Sequence, residues 1–315
     1  MRRIVTVMSL FIGVGLAAAP GAASADGSNG PVFQTVPAAV AYASLHPDAA
    51  PSGSNDWTCE PSAAHPRPVV LVHGTWANQF NSFAYLSPRL KAAGYCVFSL
   101  NYGKYDAAPI SYIPGVNATA PVMDSAQELG LFVDRVRNEI GVPKVDLIGY
   151  SQGAIVARGY LKFFGGAGSA GNHVKTVVTY AGTNHGTTLS GTSTLGSQLH
   201  LLGVVGTLAG PAATDQVVGS DYITALNAGG DTFPGIDYTV LTTRYDQVST
   251  PYRNSFLTAG PGATVNNVVI QDGCFVDGSD HLSIPYSLRA ADYTLKALDP
   301  ATPRTIRCAV ELSAI

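Results

Sequence analysis

Lys144-Val145-Asp146-Leu147-Ile148-Gly149-Tyr150-Ser151-Gln152-Gly153, continued by Ala154 to Phe164, is the stretch that decides the fold. The β-branched, apolar run to Gly149 predicts a buried strand, and Ala154 to Phe164 predicts a helix. The G-x-S-x-G pentapeptide Gly149–Gly153 therefore lies where a strand turns straight into a helix. In 315 residues with 34 glycines and 24 serines, composition alone yields roughly 0.3 such pentapeptides, so the flanking elements carry the signal. A glycine-flanked serine in a surface loop would have neither. At so sharp a turn the serine is forced into a strained backbone geometry, and glycines two residues to either side leave room for it. Its hydroxyl then stands above the sheet, and the helix N-terminus aims its amides at the same place.

The same alternation continues outward. Pro68–Val72 and Tyr95–Leu100 read as strands, and Leu129, Phe132, Val133, Val136 and Ile140 follow helical spacing until Gly141-Val142-Pro143 stops them. Val174–Tyr180, Tyr238–Thr242 and Val265–Ile270 are further strands, and Tyr286–Leu298 is a closing helix. Strands alternating with helices predict an α/β fold with a mostly parallel central sheet and helices on both faces. The catalytic domain is expected over 67–315, with an insertion around 186–232. Residues 26–66, rich in Pro, Ala, Ser and Gly and weakly periodic, read as an N-terminal arm laid over it.

Charged residues make up only 12% of the chain, and the net charge is −3. That leaves no basic stripe for nucleic acid, while 46% hydrophobic content excludes a disordered chain. The one apolar run of any length comes first. Arg2 and Arg3 precede Ile4 to Leu16, and Ala23-Ser24-Ala25 is an A-x-A-type cleavage site, so residues 1–25 read as a signal peptide of a secreted protein. Cys59, Cys96, Cys274 and Cys308 agree, being even in number with no metal-ligand spacing. Of three possible pairings, the sequential Cys59–Cys96 and Cys274–Cys308 are favoured. The second would fasten the C-terminal tail beside His281.

A serine hydroxyl needs a base to take its proton, and on such a sheet the partners follow in the order serine, acid, histidine. Of seven histidines only His281 lies beyond every plausible acid strand; His185 comes too early and reads as a structural hydrogen-bonder. No glutamate separates Ser151 from His281, so the acid is one of eight aspartates. Sites on open α/β sheets form at the carboxyl ends of strands. Asp237 begins its strand, at the wrong end, whereas Asp246 follows that strand. Asp272, Asp277 and Asp280 lie close to the histidine in sequence, and Asp280 reads as a brace for its loop. Asp246 is the expected acid. Two backbone N–H groups should face the carbonyl oxygen as it gains charge. One is expected from Gln152 and the other from the loop Val72-His73-Gly74-Thr75-Trp76, at Thr75 ahead of Trp76. His73 is expected to orient that loop.

With Val70–Thr75, Gly149–Gly153, Thr243–Asp246 and Ser279-Asp280-His281-Leu282 in view, the chain resembles the α/β-hydrolase superfamily and, within it, the secreted bacterial class 2 triacylglycerol lipases. The resemblance runs from about Asp56 to the C-terminus. It implies a triad of Ser151, Asp246 and His281, oxyanion amides at Thr75 and Gln152, no cofactor or metal, and carboxylic ester hydrolysis through an acyl-enzyme. The expected substrate is a lipid or other small ester, met by a monomer in transient contact with a lipid surface.

Leu195 to Ala213, apolar and punctuated by Gly203, Gly206 and Gly210, reads either as a lid or as a core helix. Phe80 and Tyr102 would suit an acyl chain or ordinary packing. Alternatives within the same chemistry are a polyester- or cutin-type esterase and an acyltransferase. A ligand-binding relative without activity is the alternative from another class, and the intact serine, acid, histidine and glycines oppose it.

Overall fold

The computed structural model describes residues 29–168, 171–191 and 202–314. The segment read as a signal peptide lies outside the described residues, as does part of Leu195 to Ala213.

Six strands, β1 (Val69–Val72), β2 (Val97–Ser99), β3 (Val145–Tyr150), β4 (Val174–Tyr180), β5 (Asp237–Thr242) and β6 (Thr264–Val269), form one sheet in the order β2-β1-β3-β4-β5-β6. Every neighbouring pair is parallel. The chain steps outward from β1 to β2, then returns across β1 to β3. The order thus reverses between β1 and β3, and in open α/β sheets the crevice that receives a ligand lies outside the carboxyl ends of the strands at such a point.

The period-2 alternation of each strand divides the interior into two cores. Val70, Val72, Leu147 and Val177 face one side, under α4 (Val122–Ile140) and α5 (Gln152–Phe163). Val69, Leu71, Ile148 and Val178 face the other, under α2 (Gln79–Phe83), α3 (Leu86–Ala92) and α9 (Leu288–Leu298). Both faces of β1 to β5 being covered, these strands are buried nearly throughout, whereas β6 exposes Thr264, Asn266 and Asn267. α4 ends where Gly141 takes a left-handed conformation, φ 73°.

Several boundaries differ from those expected. The arm contains a ten-residue helix, α1 (Val36–Leu45), which buries Ala39 and Ala43 against the second core. Its buried face is made of alanines, which contrast too little with their neighbours to show as a periodic signal. After it, Ser54 and Asn55 lie along β2: Asn55 N–H donates to Val97 O at 2.9 Å, and its side-chain oxygen accepts from Ser99 N–H at 2.8 Å. Tyr95 is not in β2, because its N–H closes the turn after α3 onto Leu90 O.

The described part of the insertion holds α6 (Leu202–Ala209), α7 (Pro211–Asp215) and α8 (Asp221–Asn227). Val204, Val205 and Leu208 are exposed, so α6 is not a core helix. No described helix is long and apolar enough to cross a membrane. Disulfides join Cys59 to Cys96 and Cys274 to Cys308.

Candidate active site

β3 delivers Ser151 to the crevice. Its backbone sits at φ 52°, ψ −119°, a region that non-glycine residues adopt only under constraint. The constraint comes from both sides: Ser151 N–H donates to Tyr180 O on β4 at 2.8 Å, and the next residue starts α5. The glycine requirement is steric. A Cβ on Gly149 would lie 2.5 Å from Gly153 O, and one on Gly153 would lie 2.1 Å from Val72 O. α5 can therefore pass close over the end of β1 only with glycine at both positions. Ser151 itself is 5% exposed, at the floor of the crevice.

His281 meets the serine from the loop after β6. Its Nε2 is 3.0 Å from Ser151 Oγ, and its Nδ1 is 2.9 and 3.0 Å from the two carboxylate oxygens of Asp246. Asp246 Oδ1 also accepts from Val248 N–H at 2.9 Å and Ser249 N–H at 2.6 Å. Since a carboxylate only accepts, Nδ1 must carry its proton, and Nε2 is left as a lone pair facing the serine hydroxyl. Serine, histidine and acid thus form one directed chain of hydrogen bonds, set up to draw a proton off Ser151.

The acid and histidine loops are fastened to each other. Thr243 Oγ1 donates to Ser279 O at 2.5 Å, and Gln271 Nε2 donates to both Thr243 Oγ1 and Asp277 O at 3.0 Å. Tyr150 O–H donates to His281 O at 3.1 Å. Asp280 is fully buried and braces the loop: Oδ1 accepts from Ser283 N–H and Oγ–H, and Oδ2 from Ser313 Oγ–H and Ala314 N–H of the C-terminal tail. The Cys274–Cys308 bridge pins that tail.

The other aspartates are engaged elsewhere. Asp272 pairs with Arg244 at the surface, Asp237 with Lys175, and Asp215 accepts from the first N–H of α4. Asp231 bonds His185 and the buried Arg158. His185, whose Nδ1 also lies 3.1 Å from Asn254 O, belongs to that network and not to the crevice.

The turn after β1 faces the serine across Gly74, where a Cβ would lie 3.1 Å from Ser151 Cβ. Thr75 and Trp76 form its tip, closed by Ala77 N–H to Gly74 O at 3.3 Å, with Trp76 at φ 55°. Gln152 is the first residue of α5, so its amide precedes the helix's own acceptors. The turn that carries Thr75 thus approaches Ser151 through Gly74, and Gln152 follows Ser151 directly.

His73 lies beneath the turn. Burial lowers its pKa from 6.5 to about 4, against a hydrogen bond to Gly74 that acts the other way. The neutral ring donates through Nδ1 to Gly74 O at 2.9 Å and stacks on Tyr102, whose hydroxyl donates to His73 O at 2.6 Å. This geometry orients the turn. Phe80 packs on Phe33 and Tyr42; with Tyr102 it belongs to the core and does not line an acyl channel.

Some participants gave no signal in the sequence. Gln271 and Gln216 are ordinary polar residues, and only the approach of distant segments gives them partners near the crevice.

A model of the family described as lipase (class 2) matches residues 66–282, a span that takes in Ser151, Asp246 and His281. Among solved structures, Aspergillus fumigatus lipase B aligns with a TM-score of 0.60 at 18% identity, over 81% of this chain and 56% of that one. The mature form of the Bacillus licheniformis lipase BlEst2 aligns at 0.51 and 17% identity, over 76% and 94%. At such identities the likeness is one of fold, and this chain spans only about half the length of the Aspergillus protein.

Proposed function

The chain belongs to the class 2 lipase family, a family of ester-hydrolysing enzymes on the α/β-hydrolase fold, and on that premise we propose that it is a secreted serine hydrolase of carboxylic esters, acylglycerols foremost. The carrying observation is the hydrogen-bonded line Ser151 Oγ–His281 Nε2, His281 Nδ1–Asp246, anchored on a positive-φ serine.

In this reading His281 takes the Ser151 proton as Oγ attacks the ester carbonyl carbon. The oxyanion is met by the amides of Thr75 and Gln152. The imidazolium, held opposite the Asp246 carboxylate, returns the proton to the leaving alcohol, and an acyl-enzyme remains. Water, deprotonated by the same imidazole, attacks the acyl carbon and releases the acid and free Ser151.

Two further features support the finer reading. The exposed Val204, Val205 and Leu208 of α6, with exposed Trp76 nearby, give the crevice an apolar rim suited to lipid. Two disulfides suit an oxidising compartment, in keeping with the positively charged, then apolar N-terminus.

The test is a chain-length series of nitrophenyl esters together with emulsified triglyceride. Ser151→Ala and His281→Ala should each lower kcat by about 10⁴-fold or more while melting like the parent. Turnover that survives Ser151→Ala would remove the serine from the mechanism, and an enzyme that ignores triglyceride would restrict it to small esters.

A further inference from the structure

We propose that Gln216 is a positioning residue for the oxyanion turn, its side-chain amide donating to Thr75 Oγ1 so that the Thr75 hydroxyl proton is turned toward the oxygen of the bound ester. The inference deepens the hydrolase reading above and rests on it.

Hydrogen-bond valence carries it. The side chain of Gln216, a residue only 6% exposed, has three polar partners. Nε2 donates to Ala212 O at 2.9 Å and to Thr75 Oγ1 at 2.8 Å, and Oε1 accepts from Thr183 Oγ1 at 3.0 Å. A backbone carbonyl only accepts, so the Ala212 contact fixes which end of the carboxamide is nitrogen. Both amide hydrogens are then committed. Thr75 Oγ1 is the acceptor in its bond, and its own proton must go elsewhere. Among the described residues that proton has no acceptor. The hydroxyl sits on the residue whose backbone N–H is proposed to meet the oxyanion, so it is a third donor at the same place.

The relay is anchored on rigid ground. Thr183 lies just beyond β4 and is buried. The neighbouring residue of the turn is held from the same segment, since Trp76 Nε1–H donates to Ala209 O at 2.9 Å. Two consecutive residues of the turn are thus tied to 209–216, more than 130 positions later in the chain. Donors stabilise a developing oxyanion to the extent that they are already aimed when charge appears, and these ties supply the aim.

Gln216→Glu tests this directly. The carboxylate still accepts from Thr183 but replaces the amide donor with an oxygen that attracts the Thr75 proton. With a soluble nitrophenyl ester, kcat should fall by about tenfold or more and KM should change little; Thr75→Val should act the same way, and Thr75→Ser should recover most of the rate lost in Thr75→Val. The Gln216→Glu/Thr75→Val pair should be no slower than the slower single variant. Multiplicative losses in the pair, or Gln216 variants that raise KM alone, would overturn the proposal. Should Gln216→Glu fail to fold, Gln216→Met paired with Thr75→Val gives the same cycle, and an unchanged kcat in Thr75→Val would also overturn it. Labelling of wild-type Ser151 by a fluorophosphonate, run alongside, separates the two readings. Its absence removes the hydrolase reading, whereas labelling combined with multiplicative losses removes only the role of Gln216.

Discussion

Replacing Asp246 with asparagine probes the electrostatics of the crevice while leaving its shape intact. Asp246→Ala would strand the Val248 and Ser249 amides that now share Oδ1, mixing lost stability with lost chemistry. Asparagine keeps an oxygen for those two donors and places its NH₂ where Oδ2 stands, 3.0 Å from His281 Nδ1. The retained oxygen, 2.9 Å from Nδ1, is already shared by two backbone amides, so the ring instead accepts from the new NH₂ and moves its proton to Nε2, where it points at Ser151 Oγ and the receiving lone pair is gone. The carboxylate charge opposite the imidazolium is lost as well. Together these should lower kcat by about 10³ to 10⁴-fold, or about 4 to 5.5 kcal/mol of transition-state stabilisation, with KM and the melting temperature nearly unchanged. The assay is steady-state hydrolysis of a short nitrophenyl ester beside a thermal melt. A loss smaller than tenfold would refute the reasoning, because neither tautomer nor charge would then matter at this position.

Two further outcomes follow from the same geometry. Opening Cys274–Cys308 by double serine substitution removes a cross-link between residues 34 apart, worth about 4 kcal/mol on chain entropy, and loosens the tail that holds Asp280 beside His281. Denaturant melts and kcat should both fall, whereas opening Cys59–Cys96, 37 apart, should cost similar stability with kcat retained; equal kinetics in the two would refute the bracing role. His73 makes stability depend on acid. Folding holds its pKa at about 4 against 6.5 in the unfolded chain, so the unfolded state binds the extra proton between those values. Stability is therefore lost as pH falls from about 6.5 to about 4, by about 3 kcal/mol over the window, and His73→Gln should flatten that part of the urea-melt profile.

The alternation of apolar runs with helical spacing was enough to place five of the six strands nearly to the residue, because a parallel sheet covered on both faces needs continuous apolar strands whatever lies around them. It misjudged β2, which is shortened by a turn, and missed α1, whose buried alanines carry little hydrophobic contrast. Ser151 is legible because its strained turn demands glycine on both sides, and the demand is written into adjacent letters. His281 and Asp246 emerged from chain order and from which end of a strand they follow. What those residues touch was not legible: that Oδ1 of Asp246 is shared by two backbone amides, that Asp280 is gripped by the C-terminal tail, and that Gln216 reaches Thr75. Short-range sterics and periodicity leave their mark on consecutive residues, so the sequence by itself determined the sheet, the elbow and the order of the chemistry. Hydrogen bonds across 130 residues depend on where separate segments come to rest, and a single polar residue has the same local signature whether or not it meets a partner. The aim of the site was decided by tertiary structure alone.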